Sequence, residues 1–282
     1  VSKIQIIVAL AAEAKPLIKF FRLQQDLRAR PFAVYVNKSD TLRVIVSGVG
    51  RVAAAAALTF SQTYSQTNYQ ADSQNKYCIN LGIAGSSHYD LGACYLVHKI
   101  TVPSLVQAYY PCIQLIKKQL PDFLSSECVC VDQADNSYSY SLVDMESHGF
   151  FQAARLFVSQ EQIYLLKVVS DRNSDEQTQI NARLVYELIE SAIPKLNQLI
   201  DCFHDDSYDK QDIPEINDLH FSAHQRFELE QLLRRLTCLG VSKEHITAGF
   251  SELLGQAGQP SYLAKQLIQW LKQTHVEKKL VF

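Results

Sequence analysis

Two acidic runs hold the residues best suited to chemistry in this chain. Val143-Asp144-Met145-Glu146-Ser147-His148-Gly149 is followed, one helix and one strand later, by Lys167-Val168-Val169-Ser170-Asp171. Each run lies where an apolar strand gives way to a helix, so carboxylates from both can converge on one small molecule at the edge of a central sheet. Carboxylates placed that way can stabilise a developing positive charge and can exchange a proton with a bound molecule. The only methionine, Met145, sits between the two acids of the first run. Each residue also has a plainer reading: Glu146 as a first-turn carboxylate favoured by the helix dipole, Met145 as a core filler, and Ser170-Asp171 as a helix cap. A third acid, Glu13, follows Leu10 by three residues at the mouth of the first strand, and its plainer reading is a surface glutamate in a helix start.

The elements that must position these acids alternate along the first 200 residues or so, short Val- and Ile-rich runs with helical stretches, the pattern of a layered α/β domain with a largely parallel sheet. Strands are expected at Ile4 to Leu10, Leu42 to Ser47, Tyr77 to Leu81, Ala93 to His98, Cys128 to Val131 and Ile163 to Val169. Their near-continuous hydrophobicity implies cover on both faces. Val52 to Phe60 contains five consecutive alanines, which favour helix and allow close approach to the sheet. A long helix is expected from Asp175 to Ile200, capped by Ser174, with Pro194 as a kink. Gly48, Gly50, Gly82 and Gly85 form turns at strand ends where backbone can come close to a ligand.

Residues 204–218 are rich in aspartate and poor in apolar side chains, the composition of a solvated linker. It separates an α/β domain at 1–203 from a helical subdomain at 219–282. In the latter, Leu229, Leu232, Leu233, Leu236 and Leu239 mark one amphipathic helix ending at Gly240, Ser242 caps a second, and Leu263, Leu267, Trp270 and Leu271 mark a third. These leucine stripes read as the subdomain's own core or as a docking face.

With 282 residues, 47% of them hydrophobic, and a formal charge of -2, the chain has core enough to fold and no basic excess for nucleic acid or an anionic membrane surface. The first apolar run is too short to cross a bilayer and lacks a basic start, which places the protein in the cytoplasm. Seven scattered cysteines, with no CxxC pair, fit reduced and buried thiols, Cys128 and Cys130 among them pointing the same way from one strand. No metal or other cofactor is implied, since there is no HExxH and no Cys/His cluster.

Read in order, Ile7-Val8-Ala9-Leu10-Ala11-Ala12-Glu13, Ser47-Gly48-Val49-Gly50-Arg51-Val52-Ala53-Ala54, Asn80-Leu81-Gly82-Ile83-Ala84-Gly85, Asp144-Met145-Glu146 and Ser170-Asp171 resemble the nucleoside phosphorylase and nucleosidase superfamily, and within it the methylthioadenosine/S-adenosylhomocysteine nucleosidases. The resemblance covers about the first 200 residues, and the helical tail is outside it. It implies a three-layer αβα fold around a mixed sheet, cleavage of an N-glycosidic bond, and a homodimer or larger homo-oligomer whose small-molecule substrate is a nucleoside.

The resemblance also implies roles. Asp171 matches the aspartate that protonates the purine, Glu146 the glutamate that holds the ribose hydroxyls, and Glu13 the carboxylate that activates the attacking water. Met145 is an apolar wall against the sugar, with Ser170 beside the general acid, and Ala84 and Gly85 form the loop facing ribose or nucleophile. Lys167 stands where an arginine is usual near the sugar, keeping the charge but losing the planar fork. His148 departs from the small apolar residues usual at its place, whereas Gly149 keeps the small residue that lets its helix approach the site. The phenylalanine that stacks on the base has no counterpart, which leaves Tyr109, Tyr110, Tyr138 or Tyr140 to replace it.

The phosphorylases of this superfamily hold phosphate with a Gly-Asp-Pro-x-Arg stretch, an arginine and a hydroxyl. Here Ala11-Ala12-Glu13, Asn80 and Ile83 stand at those places, and a buried dianion without partners is costly, so water is the expected nucleophile. Arg51 and Lys167 remain as cations that keep phosphorolysis an alternative. A protein of the same fold that binds a nucleoside or a partner without turnover is the other.

Overall fold

The computed structural model describes residues 3–68, 76–133, 140–172, 180–204, 222–238, 241–256 and 266–274. They fall in two compact units, Val1–Asp205 and Asp206–Phe282.

The first unit is built on a nine-stranded mixed sheet in the order β2-β3-β4-β1-β5-β8-β7-β6-β9. Its strands are β1 (Lys3–Val8), β2 (Gln24–Gln25), β3 (Ala33–Val36), β4 (Leu42–Val46), β5 (Lys76–Ser86), β6 (Cys94–Thr101), β7 (Ser125–Cys130), β8 (Val143–Asp144) and β9 (Ile163–Arg172). β9 also pairs with β5, so β5, β8, β7, β6 and β9 close into a ring. β1, β4, β5 and β9 run parallel to one another where they pair, which brings their carboxyl ends to one side.

Alternation along each strand divides the core. Ile4, Ile6 and Val8 of β1 and Tyr164, Leu166 and Val168 of β9 face one apolar cluster. Ile7 of β1 and Ile163, Leu165 and Val169 of β9 face the other. The first cluster is covered by α1 (Ala11–Phe20) and α5 (Ala182–Asp201), the second by α2 (Arg51–Asn68) and α4 (Ser147–Ala154). The result is the expected three-layer arrangement, with α3 (Gln114–Gln119) contributing Ile116 to the first cluster. α5 alone buries Val185, Leu188, Ile189, Ile193, Leu196, Leu199 and Ile200, each worth about 1.5–3 kcal/mol when removed from water.

All six expected strands are present. The two-residue strands β2 and β8 and the short β3 are additional, too brief to show a period of two in the sequence. α5 begins at Ala182, later than expected, because the Asn181 side chain accepts from the N–H groups of Arg183 and Leu184, both at 3.0 Å, and fixes the start there. Ser174 lies outside the described residues, and Pro194 lies inside the helix. The alanine-rich α2 lies close to α4 as well as to the sheet: a Cβ built on Gly149 would fall 1.9 Å from the Arg51 carbonyl oxygen. Gly149 therefore serves the contact between two helices first, and the site only through it.

The second unit holds α6 (Ala223–Cys238), α7 (Lys243–Gln256) and α8 (residues 266–274). Leu229, Leu232, Leu233, Leu236, Val241, Ile246, Leu267, Ile268 and Leu271 form its own core, which is where the leucine stripes point. Ser242 Oγ accepts from the His245 N–H at 3.3 Å, the expected cap of α7. The 204–218 segment lies, apart from His204, outside the described residues, as do Leu239, Gly240 and Leu263. No helix among the described residues is long and apolar enough to cross a membrane. Cys78, Cys94, Cys112, Cys128, Cys130 and Cys202 carry thiols that are not joined in disulfides.

Candidate active site

A cavity of about 200 Å³ opens at the carboxyl ends of β1, β5, β8 and β9. Glu13, Asp144, Glu146 and Asp171 all line it, with Ser170, Met145, Ala84 and Gly85 and the apolar side chains of Leu10, Val49, Ile83, Val131, Val143 and Ile180. The three acids singled out from sequence thus reach one compartment from points far apart in the chain. Of the substrate-side residues expected there, Met145, Ser170, Ala84 and Gly85 are present, and Lys167 lies behind the wall.

Glu13 is in the first turn of α1, as its plainer reading had it, but it is only 1% exposed. Its Oε2 accepts from the N–H groups of Ala9 and Leu10, both at 2.8 Å, and its Oε1 from the Ile83 N–H at 3.0 Å. The carboxylate thereby ties the end of β1 to β5. Burial pushes its pKa up, the Leu10 and Ile83 N–H groups and Lys167 pull it back, and the net direction is upward.

Glu146 stands at the N-cap of α4, and its Oε1 accepts from the Gly50 N–H at 2.7 Å. Gly50 has φ +104°, a conformation that side-chain-bearing residues rarely adopt, so the glycine is what aims this N–H at the carboxylate. Burial raises the Glu146 carboxyl, Lys167 lowers it and Asp144 raises it, for a net upward direction.

Asp171 is positioned by an irregularity in β9. Val169 pairs with Ala84 and Asp171 with Gly85, leaving Ser170 as an extra residue. Such a bulge redirects the side chains after it. The Ser170 hydroxyl is held by the Ala84 carbonyl at 3.3 Å and by Asp171 Oδ1 at 2.5 Å. Asp171 itself lines the cavity and is partly exposed.

Asp144 and Ser147 are functional candidates that the sequence reading passed over. Asp144 Oδ2 accepts from the Ser147 N–H at 2.9 Å and lies 2.7 Å from Lys167 Nζ; Oδ1 accepts from Ser147 Oγ at 2.6 Å. Lys167 is 0% exposed. Two signals pointed this way: the three-residue spacing of Asp144 to Ser147 at a helix start, and a lone lysine in an apolar strand, which demands a buried counter-charge.

The tyrosines proposed for a base-stacking wall do not line the cavity where they are described. Tyr109 packs 5.1 Å from the His148 ring and 6.3 Å from Phe151, Tyr110 and Tyr140 are exposed, and Tyr138 lies outside the described residues. His148, its pKa lowered by burial and by Arg51, belongs to this aromatic contact and not to the cavity lining. Arg51 pairs with Asp132 and is likewise absent from the lining.

No protein-family model matches the sequence, and no curated protein does. Solved structures match in fold. The 5'-methylthioadenosine nucleosidase of Arabidopsis thaliana superposes with a TM-score of 0.59 at 18% identity, over 73% of this chain and 97% of that one. The 5'-methylthioadenosine/S-adenosylhomocysteine nucleosidase of S. pneumoniae, bound to a transition-state inhibitor, gives 0.57 at 16%, over 71% and 99%. Futalosine hydrolase of Helicobacter pylori gives 0.56 at 15%, over 71% and 98%. The chain therefore has the α/β fold that these proteins share.

Proposed function

We propose that the α/β unit hydrolyses the N-glycosidic bond of a purine nucleoside or 5'-modified adenosine. One observation carries this reading: among the described residues, the cavity is lined by four carboxylates and by no lysine or arginine. Breaking a glycosidic bond builds positive charge on the ribose, which carboxylates stabilise, and negative charge on the departing base, which needs a proton. Asp171 gives that proton as the C1'–N bond breaks. Glu13 takes one from the water whose oxygen bonds to C1', and its buried, upward-shifted carboxyl is the stronger base for it. Glu146 holds the ribose hydroxyls, and Met145, Val49, Ile83 and Val143 supply apolar walls. The structural neighbours include proteins named for methylthioadenosine and futalosine hydrolysis, which supports the same substrate class.

Phosphorolysis is disfavoured by the same lining. The two cations that kept it open are engaged elsewhere, Lys167 with Asp144 and Arg51 with Asp132. A phosphate dianion in this cavity would meet carboxylates instead.

The test is incubation with methylthioadenosine, S-adenosylhomocysteine, 5'-deoxyadenosine, adenosine and inosine, with and without phosphate. Base release indifferent to phosphate is the expected result. A phosphate requirement replaces this reading with phosphorolysis, and binding without cleavage replaces it with a non-catalytic binder. On this reading the protein works in the cytoplasm as a homodimer or larger assembly. The apolar side chains of Val49, which lines the cavity, and Val52, 52% and 80% exposed, support assembly, and sedimentation velocity measures it.

A further inference from the structure

The carboxylates of the cavity present an electrostatic difficulty of their own. Glu13, Asp144 and Glu146 are 1%, 5% and 8% exposed, so water screens their mutual repulsion poorly. Carboxylates crowded in that way ionise one after another, and some stay protonated at neutral pH unless a cation joins them. Glu13 in particular has to be ionised to accept a proton.

Lys167 is that cation. Its stem shares a face of β9 with Ile163, Leu165 and Val169, in the apolar cluster under α2 and α4, and its ammonium emerges beneath the acids. Asp144 Oδ2 holds it at 2.7 Å, and Asp144 is itself fixed at the start of α4 by the N–H and hydroxyl of Ser147. On the other side, a Cβ built on Gly82 would lie 3.6 Å from Lys167 Nζ and 3.1 Å from Glu13 Oε1, so the absence of a side chain there leaves ammonium and carboxylate neighbours. The charged and titratable groups facing Lys167 are Asp144, Glu146, Cys128 and, across Gly82, Glu13. Cys130 stands next to Cys128. Both thiols are pushed up, by burial first and then by Asp144, and stay neutral.

We propose that Lys167, seated by Asp144 and Ser147, is a positioning residue: it touches no substrate, and its buried charge keeps Glu13 and Glu146 ionised for the hydrolytic step. The inference rests on the hydrolase reading above and adds to it what the lysine is for. Burial alone would push the Lys167 ammonium down, yet the charges of Asp144 and Glu146 hold it above its ordinary value, as a permanent charge requires. A lysine suits the place because its compact ammonium fits behind Gly82.

Lys167→Met and Asp144→Asn then act in opposite directions. Removing the cation leaves the acids to repel, and the carboxyl midpoints of Glu13 and Glu146 rise by about one pH unit or more. Removing the Asp144 charge takes away one repelling neighbour and frees the ammonium toward the other two acids, so their midpoints fall. Lys167→Arg, which keeps the charge, holds them near the wild-type values. Protein labelled with ¹³C at the glutamate carboxyls, with signals assigned through Glu13→Gln and Glu146→Gln, gives these midpoints by NMR titration without substrate. The acid limb of kcat/KM should move with them. A residue needed only for packing lowers stability and leaves the midpoints in place. Unmoved midpoints, or shifts of the same sign in both variants, overturn the proposal. If Lys167→Met does not fold, Asp144→Asn decides alone: a downward shift supports the proposal and any other result overturns it. Because the titration needs no turnover, a protein that cleaves no nucleoside ends the hydrolase reading, while shifts of the wrong sign in an active enzyme end this inference alone.

Discussion

The two ends of the parallel strands handle buried charge in opposite ways. At the amino end, Arg43 of β4, 3% exposed, is gripped by Asp40 through Nε to Oδ1 and Nη2 to Oδ2, both 2.8 Å, and Lys3 of β1 reaches the same carboxylate at 3.2 Å. There one carboxylate takes both cations, and its grip on the guanidinium is bidentate. At the carboxyl end one ammonium, Lys167, serves several carboxylates around an open cavity. The first is a latch, with its carboxylate held between two cations. The second holds anionic charge in excess of its cation, and an excess of that kind persists where a ligand is to use it. Removing a charge should therefore cost stability at the latch and activity at the cavity.

The largest effect expected is at the cavity. Asp171→Asn should lower kcat by about 10²–10⁴-fold, the range of a lost proton donor, with a much smaller change in substrate affinity and little change in melting temperature. Equal losses in kcat and affinity, measured by steady-state kinetics and calorimetry, would return Asp171 to the role of a structural cap and remove the contrast between the two ends.

Next comes Gly149→Ala, which separates packing from charge at the cavity end. A methyl group placed 1.9 Å from the Arg51 carbonyl must force α4 and α2 apart, at about 3 kcal/mol by urea denaturation. Because Glu146 caps α4 and Gly50 immediately precedes α2, kcat should fall as well. A fully stable variant would mean that the helices have room to slide.

Asp40→Asn is the matching change at the latch. Weakening the grip on a buried guanidinium should cost about 2 kcal/mol of unfolding free energy, reduced from the fully buried case because Asp40 keeps some contact with water, and kcat should stay as it was. Loss of activity without loss of stability would show that the two ends communicate.

What could be read in the sequence follows the same division. The layered fold was legible because β1, β5 and β9 are long enough to show their apolar character, and the acids because the ordered motifs place them at strand ends. The partner of Lys167 was not, since pairing with Asp144, 23 positions away on a different element, depends on how the sheet closes into its ring, and the latch was not, since Lys3 meets Asp40 only once β1 and β4 pair. The bulge at Ser170 was hidden for a like reason: it is a mismatch between two strands, and neither strand shows it alone. The role of Gly149 as a helix–helix contact was open to view only in part, because a small residue in a motif does not say which neighbour needs the space. The tyrosines misled because a half-polar ring near a strand end is as well satisfied in a packing contact, where Tyr109 lies against His148, as in a binding wall.

The smallest effect, and the one that compares the two ends most directly, is in the dependence of stability on pH. Burial raises the Glu13 and Glu146 carboxyls above their ordinary value of 4.5. Between that value and their raised ones the folded protein keeps protons that the unfolded chain has released, so unfolding gives protons up and is favoured as pH rises. The contribution of these two groups is fully present below the ordinary carboxylate range and is lost as pH climbs through the raised values. Each can contribute a slope of at most about 1.4 kcal/mol per pH unit. Urea midpoints taken from pH 4.5 to neutrality should decline for the wild type and decline less for Glu13→Gln, which removes one of the two groups. Asp40→Asn should lower the whole curve and leave its slope unchanged in that interval, because it weakens the latch without touching either glutamate. If Glu13→Gln steepens the decline, or if Asp40→Asn flattens it, the excess of anionic charge does not reside at the cavity.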